Sequence, residues 1–436
     1  MEKQNPIVHV GILKGKSISF AFNNNYHTED GTAYAGVCHA VLCDNKVAFN
    51  GNMYDRLLFS PESGEASFEL KNVTIGIAFH WEQKEDQRFH GALELVVDNG
   101  EIVAINHIPA EKYLLCVISS EMSAQASKEF LKAHAVISRT WLLCRIREKQ
   151  VCTGRKHHFT DNEFTRIRWY DREDHKLFDV CADDHCQRYQ GISRANNRNA
   201  EEAVQETEGE VLTYGGNLCD TRFSKCCGGI TEEFEFCWDN EHFPYLSSVR
   251  DTKKHEPLPD LTKEEEAAKW IKSSPDSFCN TTDQHILKQI LNHYDQKTTD
   301  FYRWTVSYTQ EELSKLIQEK SGLYFGEIID LIPIRRGHSG RIELLRIEGT
   351  HLSYIIGKEL EIRKILSPSH LYSSAFIVEK ENIRNGIPGR FKLIGAGWGH
   401  GVGLCQIGAA IMSKQGFDYK AILAHYYRGS SLEKIY

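Results

Sequence analysis

The sequence predicts an α+β fold with a β-rich core, one long helix beside the candidate active site, and an α-helical insertion. Short alternating apolar runs separated by turn residues fill the chain from residue 7 to about residue 115, a pattern typical of strands. Apolar residues then recur at three- and four-residue steps from Ser127 to about Arg147, which predicts a helix with Ser127 at its N-cap. A polar, helix-rich pattern at 258–322 separates this part from a second stretch of β pattern.

Composition and charge exclude several classes of protein. The chain has 436 residues, of which 41% are hydrophobic and 26% charged, and these values suit globular domains. A formal net charge of -8 argues against a broad surface for nucleic acid. No apolar run approaches the roughly 20 residues of a spanning helix, and the first residues lack a signal-peptide pattern. We therefore expect no nucleic acid partner, no membrane span, and a cytoplasmic location unless a leader has been removed.

Changes of pattern divide the chain into four parts. We expect an N-terminal β-rich region at 1–90, the first part of a core domain at 91–257, the insertion at 258–322 and the rest of the core at 323–436. Within the first two parts, Asp98-Asn-Gly100 between two apolar runs predicts a hairpin, and Tyr113–Met122 resembles a strand that ends at a carboxylate.

Local signals predict the remaining elements. A short helix at about 195–208 precedes a hairpin at Gly215-Gly216, and a last helix lies near Tyr419–Tyr427. Within the insertion, Thr262-Lys-Glu-Glu265 and Thr309-Gln-Glu-Glu312 both fit the capping-box pattern at a helix start.

Glu121 is the candidate catalytic acid. A carboxyl group at the end of an apolar segment is partly desolvated, and desolvation favours the protonated form that a general acid needs. The alternative is a structural glutamate that interacts with a helix dipole. Lys132, eleven residues later on the predicted helix, either orients this carboxylate or a ligand, or belongs to a solvated face together with Lys128.

A candidate metal site lies between residues 175 and 186. His175, Cys181, His185 and Cys186 are the ligand types that zinc prefers, at a spacing that a loop can close. A disulfide or core packing is the alternative for the two cysteines, and His157 and His158 are weaker candidates for a further ligand. The total of 13 cysteines is odd, so a complete disulfide framework within one chain is excluded.

Two glycine-rich segments complete the candidate site. Gly228-Gly229 lets the backbone approach a ligand closely and follows two cysteines, Cys226 and Cys227, which should point in opposite directions if they lie on a strand. From Gly395 to Gly403 every second residue is glycine, with Trp398 and His400 projecting among them. This segment predicts either a backbone-lined groove for a polymeric ligand or a tight strand crossing in a core.

These motifs, in this order, resemble the SpoIID/LytB family of bacterial sporulation and cell-wall proteins from about residue 90 onward. The resemblance is carried by Tyr113-Leu through Glu121-Met122, Glu129-Phe-Leu-Lys-Ala-His-Ala-Val-Ile-Ser-Arg-Thr140, Gln187 to Gly191, Ala203 to Gly209, Phe223 to Thr231, Trp238 with Pro244-Tyr-Leu246, and Gly397 to Ala409. The sequence departs from the family pattern at Ser123, where proline is usual, and at Cys226, Cys227 and Cys405, where small polar residues are common.

The resemblance implies a lytic transglycosylase that cuts the glycan strands of peptidoglycan, or a glycan-binding or amidase-enhancing module without catalysis. It implies Glu121 as the single acid and base with Lys132 nearby, and a structural zinc ion on His175, Cys181 and Cys186, with His185 as an alternative ligand. It also implies a cell-envelope or periplasmic location and another cell-wall hydrolase as a partner. The residues expected to bind substrate are Tyr189, Ser224, Gly228, Gly229, Trp398, His400 and Gln406.

Overall fold

The computed structural model confirms an α+β, β-rich fold. It describes residues 5–76, 82–122, 126–151, 160–168, 175–183, 185–194, 198–254, 257–290 and 300–436, with the backbone alone at 148–151, 285 and 289–290. Among the helices described, none is both long and apolar enough to cross a membrane. Ser123, Cys152, His157 and His158 lie outside the described residues.

The elements follow one another in this order. The strands are β1 Ile7–Gly15, β2 Ser17–His27, β3 Ala33–Cys43, β4 Lys46–Phe49, β5 Asn52–Tyr54, β6 Arg56–Pro61, β7 Ser67–Ile75, β8 Gln83–His90, β9 Ala92–Asp98, β10 Glu101–Pro109, β11 Thr160–Asp161, β12 Thr165–Ile167, β13 Val180–Cys181, β14 Glu210–Tyr214, β15 Asn217–Leu218, β16 Phe223–Ser224, β17 Arg303–Thr309, β18 Ile328–Arg336, β19 Ile342–Gly349, β20 Ser353–Gly357, β21 Phe376–Glu381, β22 Arg390–Ala396, β23 Leu404–Cys405 and β24 Ser431–Lys434. The helices are α1 Ala110–Glu121, α2 Lys128–Val151, α3 Arg198–Glu206, α4 Phe234–Cys237, α5 Glu264–Lys272, α6 Gln284–Ile290, α7 Gln310–Ser321, α8 Glu359–Ile365, α9 Gln406–Lys414 and α10 Tyr419–Tyr426, with 3₁₀ turns at Ile192–Arg194 and Pro244–Leu246.

An 11-stranded sheet made from β1 to β10 and β13 forms the N-terminal part. The predicted hairpin is confirmed, because β9 and β10 pair in antiparallel register and the turn residues Asn99 and Gly100 have φ of 48° and 74°. β10 also pairs with β1, so this sheet continues to Pro109, beyond the boundary expected at residue 90. The parallel pairing of β1 with β13 brings the predicted metal loop to the edge of the sheet.

The segment from Tyr113 to Glu121 is helical and Met122 is its C-cap, so the expectation of a strand over Tyr113–Met122 is wrong. α1 begins after Pro109, and the helix buries residues on most of its circumference, including Leu114, Cys116 and Val117. A helix buried all round gives a continuous apolar run without visible period, and periodicity alone does not distinguish such a run from a strand. Glu121 is consequently the last residue of a helix and not the end of a strand.

The helix predicted from Ser127 is confirmed as α2, and the last predicted helix is confirmed as α10. α2 packs against α1, α3, α9 and α10, so it is the central support of the second part of the chain. Of the two capping boxes, the one at Thr309 forms, with the Thr309 hydroxyl accepting from the Glu312 N–H. The box at Thr262 does not form, because α5 begins one residue later with Lys263 at its N-cap.

The expected insertion also contains a strand. β17 pairs with β22 in antiparallel register over its whole length, and α7 packs against the same core as these strands. The region from 258 to 322 is therefore joined by backbone hydrogen bonds to the C-terminal part of the chain.

Candidate active site

Glu121 lies half-buried at the C-terminal end of α1. The backbone N–H of Arg188 donates a hydrogen bond to Oε1 of Glu121 at 2.9 Å. One residue earlier, the Ser120 hydroxyl donates to the Cys116 carbonyl and accepts from the Gln190 N–H. The segment after the metal loop is therefore bonded to the last turn of α1, and it holds the carboxylate in one orientation.

The segment from Gln187 to Gly191 is shaped by its side chains. The buried Gln187 amide donates to the Ser138 carbonyl of α2, and its oxygen accepts from the Tyr113 hydroxyl of α1. Gly191 has a φ of 72°, and a Cβ there would lie 2.2 Å from the Arg88 carbonyl oxygen. Glycine is thus required for this segment to pack against β8.

The predicted metal ligands lie together in the folded chain. The donor atoms of His175, Cys181, His185 and Cys186 all lie within 4.8 Å of one another. Sγ of Cys186 is 3.5 Å from Nε2 of His175 and 3.5 Å from Nδ1 of His185, and Sγ of Cys181 is 3.8 Å from that same Nδ1. Two imidazoles and two thiols at these separations fit a tetrahedral zinc ion.

The loop is anchored and its chemistry suits a metal. Gly11 of β1 leaves space for the Phe178 ring, since a Cβ at that position would lie only 2.4 Å from the ring. Next to Phe178, Asp179 pairs with His9 of the same strand. A hydrogen bond from the Cys186 thiol, with others from His175 and His185, lowers the pKa of Cys181. A thiolate therefore forms readily at Cys181, and thiolates are the ligands that zinc takes from cysteine.

Lys132 is engaged by other carboxylates than Glu121. Its Nζ lies 3.1 Å from Oε1 of Glu129 and 2.8 Å from Oε2 of Glu206, and it stands over the Tyr419 ring. These contacts connect α2 to α3 and α10. They occupy the Lys132 ammonium group, and none of them involves Glu121.

Tyr189 and Gln406 lie in the protein interior, which does not fit the expectation that they line a groove. The Tyr189 ring stacks between Phe89 and Tyr113, and its hydroxyl donates to Oδ1 of Asn106. The Gln406 amide lies 3.2 Å from Nε2 of His134, a buried imidazole whose pKa burial lowers to about 3. Both predicted residues therefore support the packing of helices and sheet in this structure.

The alternating glycines form a tight crossing around a buried arginine. Arg341 is fully buried and donates to the carbonyls of Gly399 and Cys227. A Cβ at Gly401, whose φ is 80°, would lie 2.4 Å from the guanidinium carbon of Arg341. Gly228 is equally close to the opposite segment, since a Cβ there would lie 2.9 Å from the Gly397 nitrogen. The structure thus matches the strand-crossing alternative for these glycines.

Gly229 is enclosed as well. A Cβ at this position would lie 2.8 to 2.9 Å from the side chains of Trp270, Ser277 and Tyr302. Both glycines of the pair therefore serve close packing inside the protein, and neither presents bare backbone to solvent.

Three predicted ligand-binding residues, Ser224, Trp398 and His400, lie around Gly399. Trp398 is half-buried and stacks on Phe301 with ring centroids 4.8 Å apart. Nδ1 of His400 accepts from the Val402 N–H at 3.0 Å, and burial together with nearby arginines holds its pKa well below the usual range, so the ring is neutral. The buried Ser224 hydroxyl has no hydrogen-bond partner among the residues that the structure describes.

Some residues of the candidate site carry no clear signal in the sequence. His134 lies on the buried face of α2 in step with Phe130 and Ser138, so helical periodicity places it inside but does not reveal its bond to Gln406. Arg341 reads as an ordinary strand residue. Its role depends on a segment about sixty positions later, which only the folded chain brings to it.

Two families match parts of the chain. One, described as Stage II sporulation protein (SpoIID), matches residues 98–214, which include α1, the candidate metal loop and α3. A second family, described as a domain of unknown function (DUF8618), matches residues 232–403.

The chain is similar to curated relatives over most of its length. It is 26% identical to the Stage II sporulation protein D of Bacillus amyloliquefaciens over 331 residues, 76% of each chain. It is 25% identical to the protein of that name from Bacillus subtilis over 333 residues, again 76% of each chain. The amidase enhancer of Bacillus subtilis is 27% identical over 340 residues, which are 72% of this chain and 39% of that relative. The predicted resemblance to the SpoIID family is confirmed by the match at 98–214 and by these relatives.

Proposed function

We propose that this protein is a peptidoglycan-cleaving lytic transglycosylase of the cell envelope in which Glu121 acts as both general acid and general base. The observation that carries the proposal is the half-buried Glu121 carboxyl, held by the Arg188 N–H at the end of a helix inside the SpoIID domain. Partial burial favours the protonated acid, and the N–H bond stabilises the carboxylate that remains after proton transfer. One group thus serves both halves of the reaction.

The reaction needs a single carboxyl group. Glu121 donates its proton to the glycosidic oxygen as the bond from that oxygen to the anomeric carbon breaks. The C6 hydroxyl of the same sugar then attacks the anomeric carbon, and its proton passes to the Glu121 carboxylate. The products are two glycan fragments. One ends in the 1,6-anhydro sugar and the other in the free hydroxyl of the leaving oxygen, and Glu121 is protonated again. Hydrolysing glycosidases need a second carboxylate because water is the nucleophile or resolves a covalent intermediate.

We assign the other predicted residues accordingly. Trp398 and His400 form a wall for the glycan, with the neutral His400 as a hydrogen-bonding group, and the buried Ser224 supports this wall from within. Lys132 has a positioning role, because its pair with Glu206 holds α2 against α3. A zinc ion on His175, Cys181, His185 and Cys186 keeps the loop closed, so that Arg188 stays bonded to Glu121.

The test is digestion of purified sacculi followed by mass analysis of the products. We expect the wild type to release 1,6-anhydro muropeptides and Glu121→Gln to release them about 10²- to 10⁴-fold more slowly, with binding to sacculi retained. Glu201→Gln, on the exposed face of the neighbouring helix α3, is the control and should keep wild-type rates. Equal product formation by Glu121→Gln and the wild type would contradict the proposal.

A second candidate is a glycan-binding module that enhances another cell-wall hydrolase. It is favoured by the relative named amidase enhancer and by the burial of Tyr189 and Gln406, which leaves fewer of the expected groups for substrate. In that case the protein binds sacculi without creating new glycan ends. Addition of a purified amidase to the same digestion distinguishes the two, because only an enhancer raises the rate of peptide release.

A further inference from the structure

A second group of metal-binding side chains lies inside the protein, away from the loop at 175–186. It consists of Cys227, Asp251, Cys279 and Cys405, which are all nearly or fully buried. One donor atom from each residue lies within 4.8 Å of the other three. Cys227 directly precedes the paired glycines, and Asp251 follows Arg250, which pairs with Ile230 just after those glycines. Cys279 lies between α5 and α6, and Cys405 is the N-cap of α9. Four distant segments therefore meet at one point.

The sulfur separations suit one tetrahedral ion. Sγ of Cys227 is 3.6 Å from Sγ of Cys279. Two thiolates on a tetrahedral zinc ion, with Zn–S bonds of about 2.3 Å, stand about 3.8 Å apart. A disulfide requires a separation of about 2.0 Å. Donor atoms this close together also leave no space for a cluster of several irons.

The donor atoms are already oriented by hydrogen bonds from two backbone N–H groups of the cluster and from the Tyr426 hydroxyl. The Cys227 N–H donates to Sγ of Cys405 at 3.2 Å. The Asp251 carboxylate accepts from the Cys279 N–H at 2.8 Å on one oxygen and from the Tyr426 hydroxyl at 2.6 Å on the other. Metal sites use such outer bonds to orient their ligands and to make them better donors.

The group also lacks a balancing positive charge. Asp251 is fully buried, and no lysine, arginine or histidine pairs with it in the part of the chain that the structure describes. A buried carboxylate is normally paired with a cation or bound to a metal ion. Three thiols beside such a carboxylate are a ligand set of the type that zinc prefers.

We propose that Cys227, Asp251, Cys279 and Cys405 form a second, structural zinc site that joins the region at 258–322 to the core. With three thiolates and one carboxylate, the loaded site has the same net charge as the common four-cysteine zinc site. Four protein ligands close it, so it holds no open position for substrate. It goes beyond the proposed function and does not depend on it.

The experiment is a zinc count on the full-length chain purified without chelator. Cys181→Ser with Cys186→Ser removes the loop site, and Cys227→Ser with Cys279→Ser removes the buried site. We expect each double variant to retain half of the zinc that the wild type holds. The matched control is Cys219→Ser, an equally buried cysteine outside the ligand group, which should keep the full zinc content.

Two results overturn the proposal. One is a loop variant that holds no zinc, since this variant leaves the buried site intact and needs no change in the core. The other is a Cys227–Cys279 disulfide in protein purified without reductant, detected by intact mass and by titration of thiols after unfolding. Because zinc content is measured without any glycan, either result is distinguishable from a failure of the transglycosylase proposal.

Discussion

The two cysteine-containing clusters use the same residue types in opposite surroundings. The loop cluster is built from twelve consecutive positions, is partly exposed, and continues directly into the segment that bonds Glu121. The other cluster is buried and draws its members from segments between Cys227 and Cys405. We therefore expect the first to control local geometry near the active site and the second to control the stability of the whole core.

The largest expected effect is on stability and belongs to the buried cluster. If free zinc exceeds the Kd of that site about 1,000-fold, bound zinc stabilises the fold by about 4 kcal/mol. Cys227→Ser with Cys279→Ser should lower the free energy of unfolding by about that amount, measured by urea denaturation. Cys181→Ser with Cys186→Ser should cost less, because we expect the partly exposed loop site to bind zinc more weakly. Equal losses of unfolding free energy in the two double variants would contradict the expectation that the buried cluster stabilises the core more than the loop cluster does.

The loop cluster should instead affect catalysis. Loss of an outer hydrogen-bond partner of a metal ligand commonly lowers metal affinity or activity about 10- to 100-fold, and loss of a ligand itself should cost at least as much. We expect Cys181→Ser to reduce glycan cleavage by a factor in this range while the protein remains folded by circular dichroism, because Arg188 then loses its alignment with Glu121. Cys116→Ser, a buried cysteine outside both clusters, is the control. A fully active Cys181→Ser variant would show that the loop cluster does not control the geometry of Glu121.

The buried His134 should make the stability of the fold depend on pH. Burial lowers the pKa of His134 to about 3, so the folded protein does not take up the proton that the unfolded chain binds below about pH 6.5. Stability should therefore fall as pH decreases from 6.5 towards 3, with a contribution from this group of up to about 1.4 kcal/mol per pH unit. His134→Gln should flatten the dependence of unfolding free energy on pH by that amount. An unchanged slope would mean that His134 is accessible to protons in the folded state.

The smallest expected effect compares two threonines with the same capping-box sequence. Thr309→Ala removes a formed box and should lower the free energy of unfolding by about 1 kcal/mol. Thr262→Ala should change it by a few tenths at most, because the Thr262 hydroxyl bonds to the exposed Asp260 and does not cap α5. Thermal unfolding of the two variants side by side measures this difference. A larger loss at Thr262 would contradict the helix start at Glu264.

Local sequence patterns predicted the elements whose neighbours lie close in the chain. The turn at Asn99-Gly100, the periodic apolar residues of α2 and the loop cluster each depend on spacing within about a dozen residues or fewer, and all three are found in the structure. α1 was missed because burial on most faces removes the helical period from the sequence.

The sequence by itself therefore determined the α+β class, the family resemblance, the position of Glu121 on the chain, and the set of candidate metal ligands at 175–186. Only the tertiary structure decided that Tyr189 and Gln406 face the interior, that the alternating glycines enclose Arg341, and that Asp251 and Cys279 meet Cys227 and Cys405. The physical reason is distance along the chain. Contacts within a few residues follow from backbone geometry, whereas contacts between distant segments depend on how the sheets and helices pack.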